Sequence, residues 1–230
     1  MKTWLISLIL IVLLAFPRSA LAAPQEPGSA PAIQGIVHIV HVQPQQKGNA
    51  RVIHETASLG TVIGPHLILT RNHFGTALGT LPNETFTISD STGRSAIVRV
   101  ADVTRIAIDR GTLLLRLPET VDLTVLPLAE RTAISRLAAG DWLTVNYWDN
   151  TRQRLATRDF QLIKMENGLA TLADPDHVIN PGDSGGGVFF EGQLIGNTWS
   201  YNAGTNGNPL GSFNVALVPS QVAAVQQTLE

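Results

Sequence analysis

The chain has 230 residues, 44% of them apolar and 15% charged, with 20 glycines, 13 prolines, no cysteine and a formal net charge of −2. That composition excludes a disordered or collagen-like chain, and the length suits one domain or two small ones with a real core. Without cysteine, neither a disulfide-stapled scaffold nor a thiolate zinc site can form.

Residues 1–22 differ from the rest. Lys2 opens a short charged start, an apolar run extends from Trp4 to Phe16, and Pro17-Arg18 leads into Ser19-Ala20-Leu21-Ala22. This is the pattern of a signal peptide cut before Ala23, and its apolar run is too short to span a bilayer comfortably. An uncleaved membrane anchor is the alternative. Cleavage implies a secreted or periplasmic, in any case extracytoplasmic, chain with no stable membrane association afterwards. It also removes Lys2 and Arg18, so the remainder is more acidic still, and no nucleic-acid partner is expected. Residues 23–34 carry three prolines and a glycine and read as a leader.

From Gly35 onward, short runs rich in Val, Ile, Leu and Thr recur between turn residues: 35–42, 50–53, 61–70, 85–88, 96–100 and 112–117. The pattern resumes at 142–147, 158–165, 169–172, 187–190, 193–199 and 213–218. Two clusters of about six short strands predict an all-β protein built as two six-stranded antiparallel β-barrels. The barrels would occupy 35–127 and 141–218, with a connector at 128–140. After Pro219, Ser220 could cap a C-terminal helix over 219–230 running through Val222, Val225 and Leu229.

The most informative segment is Asn180-Pro181-Gly182-Asp183-Ser184-Gly185-Gly186-Gly187. Four glycines around one serine allow close backbone approach and leave amides open, which suits a nucleophilic serine that needs oxyanion donors. Taken alone, Gly182 to Gly186 also fits the G-x-S-x-G elbow of α/β-hydrolases, but there the histidine follows the serine. Here His38, His41, His54, His66, His73 and His177 all precede Ser184. The subtilisin order fails too, because Asp90 is the first aspartate and only His177, on the serine's own loop, lies between it and Ser184. The order His, Asp, Ser remains. Among the histidines, His73 stands just past the apolar strand Ile68-Leu69-Thr70, where a loop can aim it into a cleft.

Leu69-Thr70-x-x-His73, an acid ahead of a Leu-rich strand, and Gly182-Asp183-Ser184-Gly185-Gly186, in that order, resemble the trypsin/chymotrypsin-like serine peptidases, including bacterial-type members, over residues 35–218. The resemblance implies a catalytic triad of His73, Asp109 and Ser184. Ser184 would attack the scissile carbonyl, His73 would carry the proton and Asp109 would fix the imidazole tautomer, with the amides of Gly182 and Ser184 as oxyanion hole. No metal or organic cofactor enters this chemistry, and the partner it implies is a protein or peptide substrate. The family's acid stands six residues before the strand's last leucine, which counts back from Leu117 to Gly111. Asp109 lies two residues further out, a displacement of about 7 Å, and needs a bulge near Gly111. Asp102 is the alternative.

The same resemblance puts Val178 at the base of the substrate pocket and Thr198, Trp199 and Ser200 on its wall, with Tyr201 beside them. No acid stands at Val178, so a neutral or apolar side chain is expected there rather than a basic one. In animal digestive members a new Ile or Val amino terminus pairs with the residue matching Asp183. Here Ile33 or Ile36-Val37 would have to supply it, or the chain works without that ion pair and Asp183 takes local hydrogen bonds. Two further readings stay open, a catalytically silent homologue that binds peptides or proteins in the same cleft, and a serine esterase of the same fold.

Overall fold

The computed structural model describes residues 31–229 apart from 48–49, 73–82, 109–110, 121 and 203–209. The signal-type segment 1–22 and leader residues 23–30 therefore lie outside the described residues. The last leader residues, Pro31–Gln34, form one helical turn (α1), with Ile33 packed against the core that joins the two halves of the molecule.

Seven antiparallel strands build the first half: β1 (Ile36–Lys47), β2 (Ala50–Gly64), β3 (Leu67–Thr70), β4 (Thr85–Asp90), β5 (Ser95–Arg99), β6 (Thr104–Ala107) and β7 (Leu113–Arg116). Their order is β5-β4-β1-β2-β3-β7-β6. The two edge strands, β5 and β6, are consecutive in the chain and joined through a 3-10 turn at Val100–Asp102. The sheet therefore curls round on itself, with the turn bringing its edges together at one end. The expected six strands become seven because β6, past this turn, falls where the sequence predicts no strand. Val103 N–H closes it on the Val100 carbonyl, and Arg99 pairs with Asp102 across it at 2.7 and 3.0 Å. Strand β6 carries no legible alternation, since Thr104, Arg105 and Ala107 are all exposed.

The second half is a closed six-stranded barrel of β8 (Trp142–Asp149), β9 (Arg154–Glu166), β10 (Leu169–Ala173), β11 (Gly187–Phe190), β12 (Gln193–Asn202) and β13 (Ser212–Leu217). Its order is β10-β13-β12-β11-β8-β9. Alternate residues fill the interior, Leu143 and Val145 from β8 meeting Phe160, Leu172, Val188, Ile195 and Val215, with Phe160 edge-on to Phe213 at 5.0 Å.

Period-two alternation explains how one strand serves two cores. Ile68 points into the first sheet's own core, beside Val37, Ile39, Phe86 and Leu115. Its neighbours Leu67 and Leu69 point the other way, into a shared core with Leu59, Leu114, Phe189, Leu194 and Val218 that draws on both halves. The run Leu-Ile-Leu is apolar throughout because both of its faces are buried.

Between the halves, the connector makes a short helix α2 (Arg131–Ser135) and binds each side in turn, Leu126 N–H to the Val62 carbonyl and Ala129 N–H to the Leu194 carbonyl, both at 2.8 Å. The C-terminal helix α3 (Pro219–Leu229) lays Val222, Val225 and Leu229 on the shared core, and Gln226 Nε2 donates to the Ile63 carbonyl at 2.7 Å. Truncating Leu69 to Ala opens a cavity in this shared core and is expected to lower the unfolding free energy by about 2–5 kcal/mol in urea titrations. A change below about 1 kcal/mol would mean that the two halves do not depend on this contact.

Candidate active site

Ser184 sits where the two halves meet, and its own backbone makes the joint. Its carbonyl accepts from Leu59 N–H at 2.9 Å and from Ser58 Oγ at 2.5 Å, both on β2 of the first sheet. On the other side, Gly185 N–H donates to the Thr198 carbonyl at 2.8 Å and Thr198 N–H to the Gly186 carbonyl at 2.9 Å, which ties the loop to β12. Gly185 is required here. Its φ is +90°, and a Cβ would lie 2.1 Å from the Leu59 carbonyl oxygen and 2.4 Å from Thr70 Oγ1.

Two aspartates shape the loop that delivers the serine. Asp174 accepts from Val178 and Ile179 N–H, both at 2.9 Å. Asp183 accepts from Trp148 N–H at 2.6 Å and from Asn180 N–H at 2.7 Å, so its carboxyl staples the loop to β8. Burial pushes the Asp183 carboxyl up to about 6, against the pull of those two amides. Ile36 and Val37 lie buried within β1. Asp183 takes local hydrogen bonds.

The hydroxyl of Ser184 accepts a hydrogen bond from Arg71 Nη1 at 3.3 Å. Burial lowers the guanidinium pKa from its ordinary value. Among the described residues, the N–H groups of Gly182 and Ser184 meet no acceptor, as an oxyanion hole requires of its donors. A cavity of about 250 Å³ opens beside the hydroxyl, lined by Arg71, Ile179, Asn180, Pro181, Ser184, Thr198, Ser200 and Tyr201.

Three of the five residues expected at the pocket, Thr198, Ser200 and Tyr201, line this cavity. Val178 and Trp199 do not. Val178 packs on the core of the second barrel, and Trp199 on the shared core. Along β12, strand alternation puts Thr198 and Ser200 on the cavity while Trp199 between them packs on the shared core.

His73 and Asp109 lie outside the described residues, but their flanks are placed. Thr70, three residues before His73, donates from Oγ1 to the Leu59 carbonyl at 2.6 Å, next to the Ser184 joint. Pairing of β6 with β7 runs in unbroken register from Thr104 opposite Arg116 to Ala107 opposite Leu113, and Ile108 N–H closes on the Thr112 carbonyl. The strand pairing next to Gly111 is therefore regular up to Ala107 and Leu113, and Asp109 itself lies outside the described residues. Asn197 of the second barrel holds that connection, accepting from Thr112 Oγ1 at 3.1 Å and donating to the Gly111 carbonyl at 3.2 Å, while the Trp199 ring covers Gly111. Asp102 pairs with Arg99 and lines a different cavity with His66, Thr104 and Arg116. The structure does not bring it into the cavity of Ser184.

Sequence reading missed Arg71, Ser58 and Asn197. Arg71 carried a signal, a cation inside the segment that leads to His73, whereas nothing local distinguishes Ser58 or Asn197. Among the described residues, no group of three or more His, Asp or Glu side chains could hold a metal ion.

No protein-family model matches this chain, and no curated protein matches it. Among solved structures it is similar to the scabies mite inactivated protease paralogue S-I1, with a TM-score of 0.61 at 14% identity, covering 90% of this chain and 99% of that one. The fold is that of chymotrypsin-like proteases, all-β with one closed barrel, one half-barrel and a C-terminal helix.

The raised Asp183 carboxyl has a signed consequence. The folded state holds this proton more tightly than the unfolded chain, so its contribution to stability is full below about pH 4 and is lost as pH rises to about 6. The loss is on the order of 3 kcal/mol. Urea unfolding of wild type and Asp183→Asn from pH 4 to 7 is expected to show wild type losing stability relative to the variant across that window. A difference that stays constant with pH would contradict the assignment.

Proposed function

We propose that this chain is an exported serine endopeptidase, secreted or periplasmic, that hydrolyses peptide bonds in a protein or peptide substrate. Ser184 Oγ attacks the scissile carbonyl carbon as its proton passes to His73. The tetrahedral intermediate places its oxyanion on the Gly182 and Ser184 amides. The C–N bond then breaks as His73 protonates the leaving amine. Water, deprotonated by His73, releases the acyl group and regenerates the serine, while Asp109 holds the imidazole in its working tautomer.

The observation that carries the reading is the seat of Ser184. Its hydroxyl borders a cavity large enough for a side chain, its backbone is fixed from both halves, and its own amide and that of Gly182 are open. Thr70, three residues before His73, is anchored beside that seat, and Gly111 and Thr112, just past Asp109, are held to β12 of the second barrel, which supports bringing both residues there. The cavity offers no carboxylate among its described lining residues, which supports cleavage after residues other than Lys or Arg.

One contact favours a second reading, a cleft that binds peptides without cutting them. Arg71 Nη1 donates to the hydroxyl that must attack, and such a donor withdraws electron density from the nucleophile.

Labelling of the purified mature chain with a fluorophosphonate decides between them. Wild type is expected to label at Ser184, Ser184→Ala not at all, and His73→Ala at least about 1,000-fold more slowly. Asp109→Asn is expected to slow labelling by about 100-fold or more, and Asp102→Asn to leave it unchanged. Folded wild-type protein that takes no label at neutral or mildly alkaline pH would exclude the peptidase and leave the binding cleft. Labelling with hydrolysis of esters but not of amides would identify an esterase instead.

A further inference from the structure

The donors around the Ser184 cavity are arranged for an anion. Arg71 is the one charged side chain among the described residues that line it, and its guanidinium already reaches across to Ser184 Oγ. Ser200 adds a donor whose direction is set from behind. Thr171 Oγ1 donates to Asn214 Oδ1 at 3.0 Å, which turns the amide so that Asn214 Nδ2 donates to Ser200 Oγ at 3.2 Å. Thr171 and Asn214 are 4% and 7% exposed, so this relay is part of the barrel wall. With its oxygen accepting from Asn214, the Ser200 hydroxyl has its proton left to give elsewhere, and it lines the cavity. Thr198, 1% exposed, lines the same cavity, and its Oγ1 has no hydrogen-bond partner. A guanidinium and two hydroxyl donors, with no carboxylate among the described lining residues, complement a carboxylate and repel an ammonium.

We propose that the cavity selects substrates with an acidic side chain, Glu or Asp, on the residue that supplies the scissile carbonyl, bound by Arg71 and Ser200. This rests on the peptidase reading for the position of the bond, and it deepens the expectation of a non-basic substrate. It replaces the neutral or apolar side chain inferred from Val178, which faces the barrel core and not the cavity. Binding also has a chemical consequence for the nucleophile. A substrate carboxylate offers Arg71 a stronger acceptor than a neutral hydroxyl does, so it draws the guanidinium off Ser184 Oγ and frees the attacking lone pair. The same contact that quiets Ser184 without substrate would then give way to the right one.

Two readouts separate this inference from the peptidase reading. In the first, fluorescent C-terminally amidated peptides that differ only by Glu, Gln, Leu or Lys at one position are bound to full-length mature Ser184→Ala protein, so no hydrolysis is needed. Glu is expected to bind about 10-fold tighter than Gln, and Lys most weakly. Arg71→Gln is expected to reduce the Glu preference to less than about threefold, Arg71→Lys to retain most of it, and Ser200→Ala to fall between. In the second, kcat/KM of wild type on the same peptides is expected to favour Glu over Gln before the bond by about 10- to 100-fold.

Equal binding of Glu and Gln peptides overturns the proposal, as does a preference untouched by Arg71→Gln or one directed at a free C-terminal carboxylate. Hydrolysis without any acidic preference leaves the peptidase and removes this inference. Acid-selective binding without hydrolysis removes the peptidase, overturns the assignment to a scissile bond, and leaves a cleft that binds acidic peptides.

Discussion

The carbonyl of Ser184 is the point through which the two halves are held in register. It accepts two hydrogen bonds from β2 of the first sheet, while the N–H of the same peptide unit, that of Gly185, donates to β12 of the second barrel. A serine placed this way has no freedom of its own, because moving its backbone by an ångström would break contacts to both halves at once. The backbone of Ser184 is thereby held in one place beside the cavity that its side chain lines. Gly185 is what allows the approach, since any side chain there would collide with the Leu59 carbonyl.

Around that joint, the polar groups are used in a consistent way. Carboxylates on the loop, Asp174 and Asp183, are spent on backbone amides and face away from the cavity. Arg71 and Ser200 line it with donors, and the partnerless Thr198 hydroxyl lies buried in its wall. Asn197 does for the β6–β7 connection what Asp183 does for the serine loop, bridging the halves with a side-chain amide that satisfies both a hydroxyl and a carbonyl. The cavity lining is therefore assembled from both halves, Arg71 from the first and the remaining lining residues from the second.

Much of this was legible in the sequence, for physical reasons that can be named. The two strand clusters were readable because Leu-Ile-Leu and Val-Phe-Phe runs flanked by turn residues have few other ways to be buried. The serine loop was readable because the glycines around Ser184 mark backbone that a side chain would obstruct, at Gly185, Gly186 and Gly187 by close approach and at Gly182 by a positive φ. Strand β6 was not, since its side chains are exposed and nothing in Thr-Arg-Ile-Ala alternates. The reach of β2 as one strand from Ala50 to Gly64 was hidden by the polar stretch His54-Glu55-Thr56, which is exposed along the β1–β2 ribbon. Spacing in the chain does not report that Val178 packs on the core of the second barrel and Trp199 on the shared core, so their places relative to the Ser184 cavity were not legible. Arg71 lies outside any pattern of apolar period, so only its neighbours in space give it meaning.

Native-state hydrogen exchange followed amide by amide tests the joint most directly. The Leu59, Gly185 and Thr198 amides, which carry the Ser184 junction, are expected to exchange only through global unfolding, with the same protection as core amides such as those of Ile39 and Val145. Exchange of the three junction amides by local opening, at a rate well above those core amides and insensitive to denaturant, would contradict a serine locked between the halves.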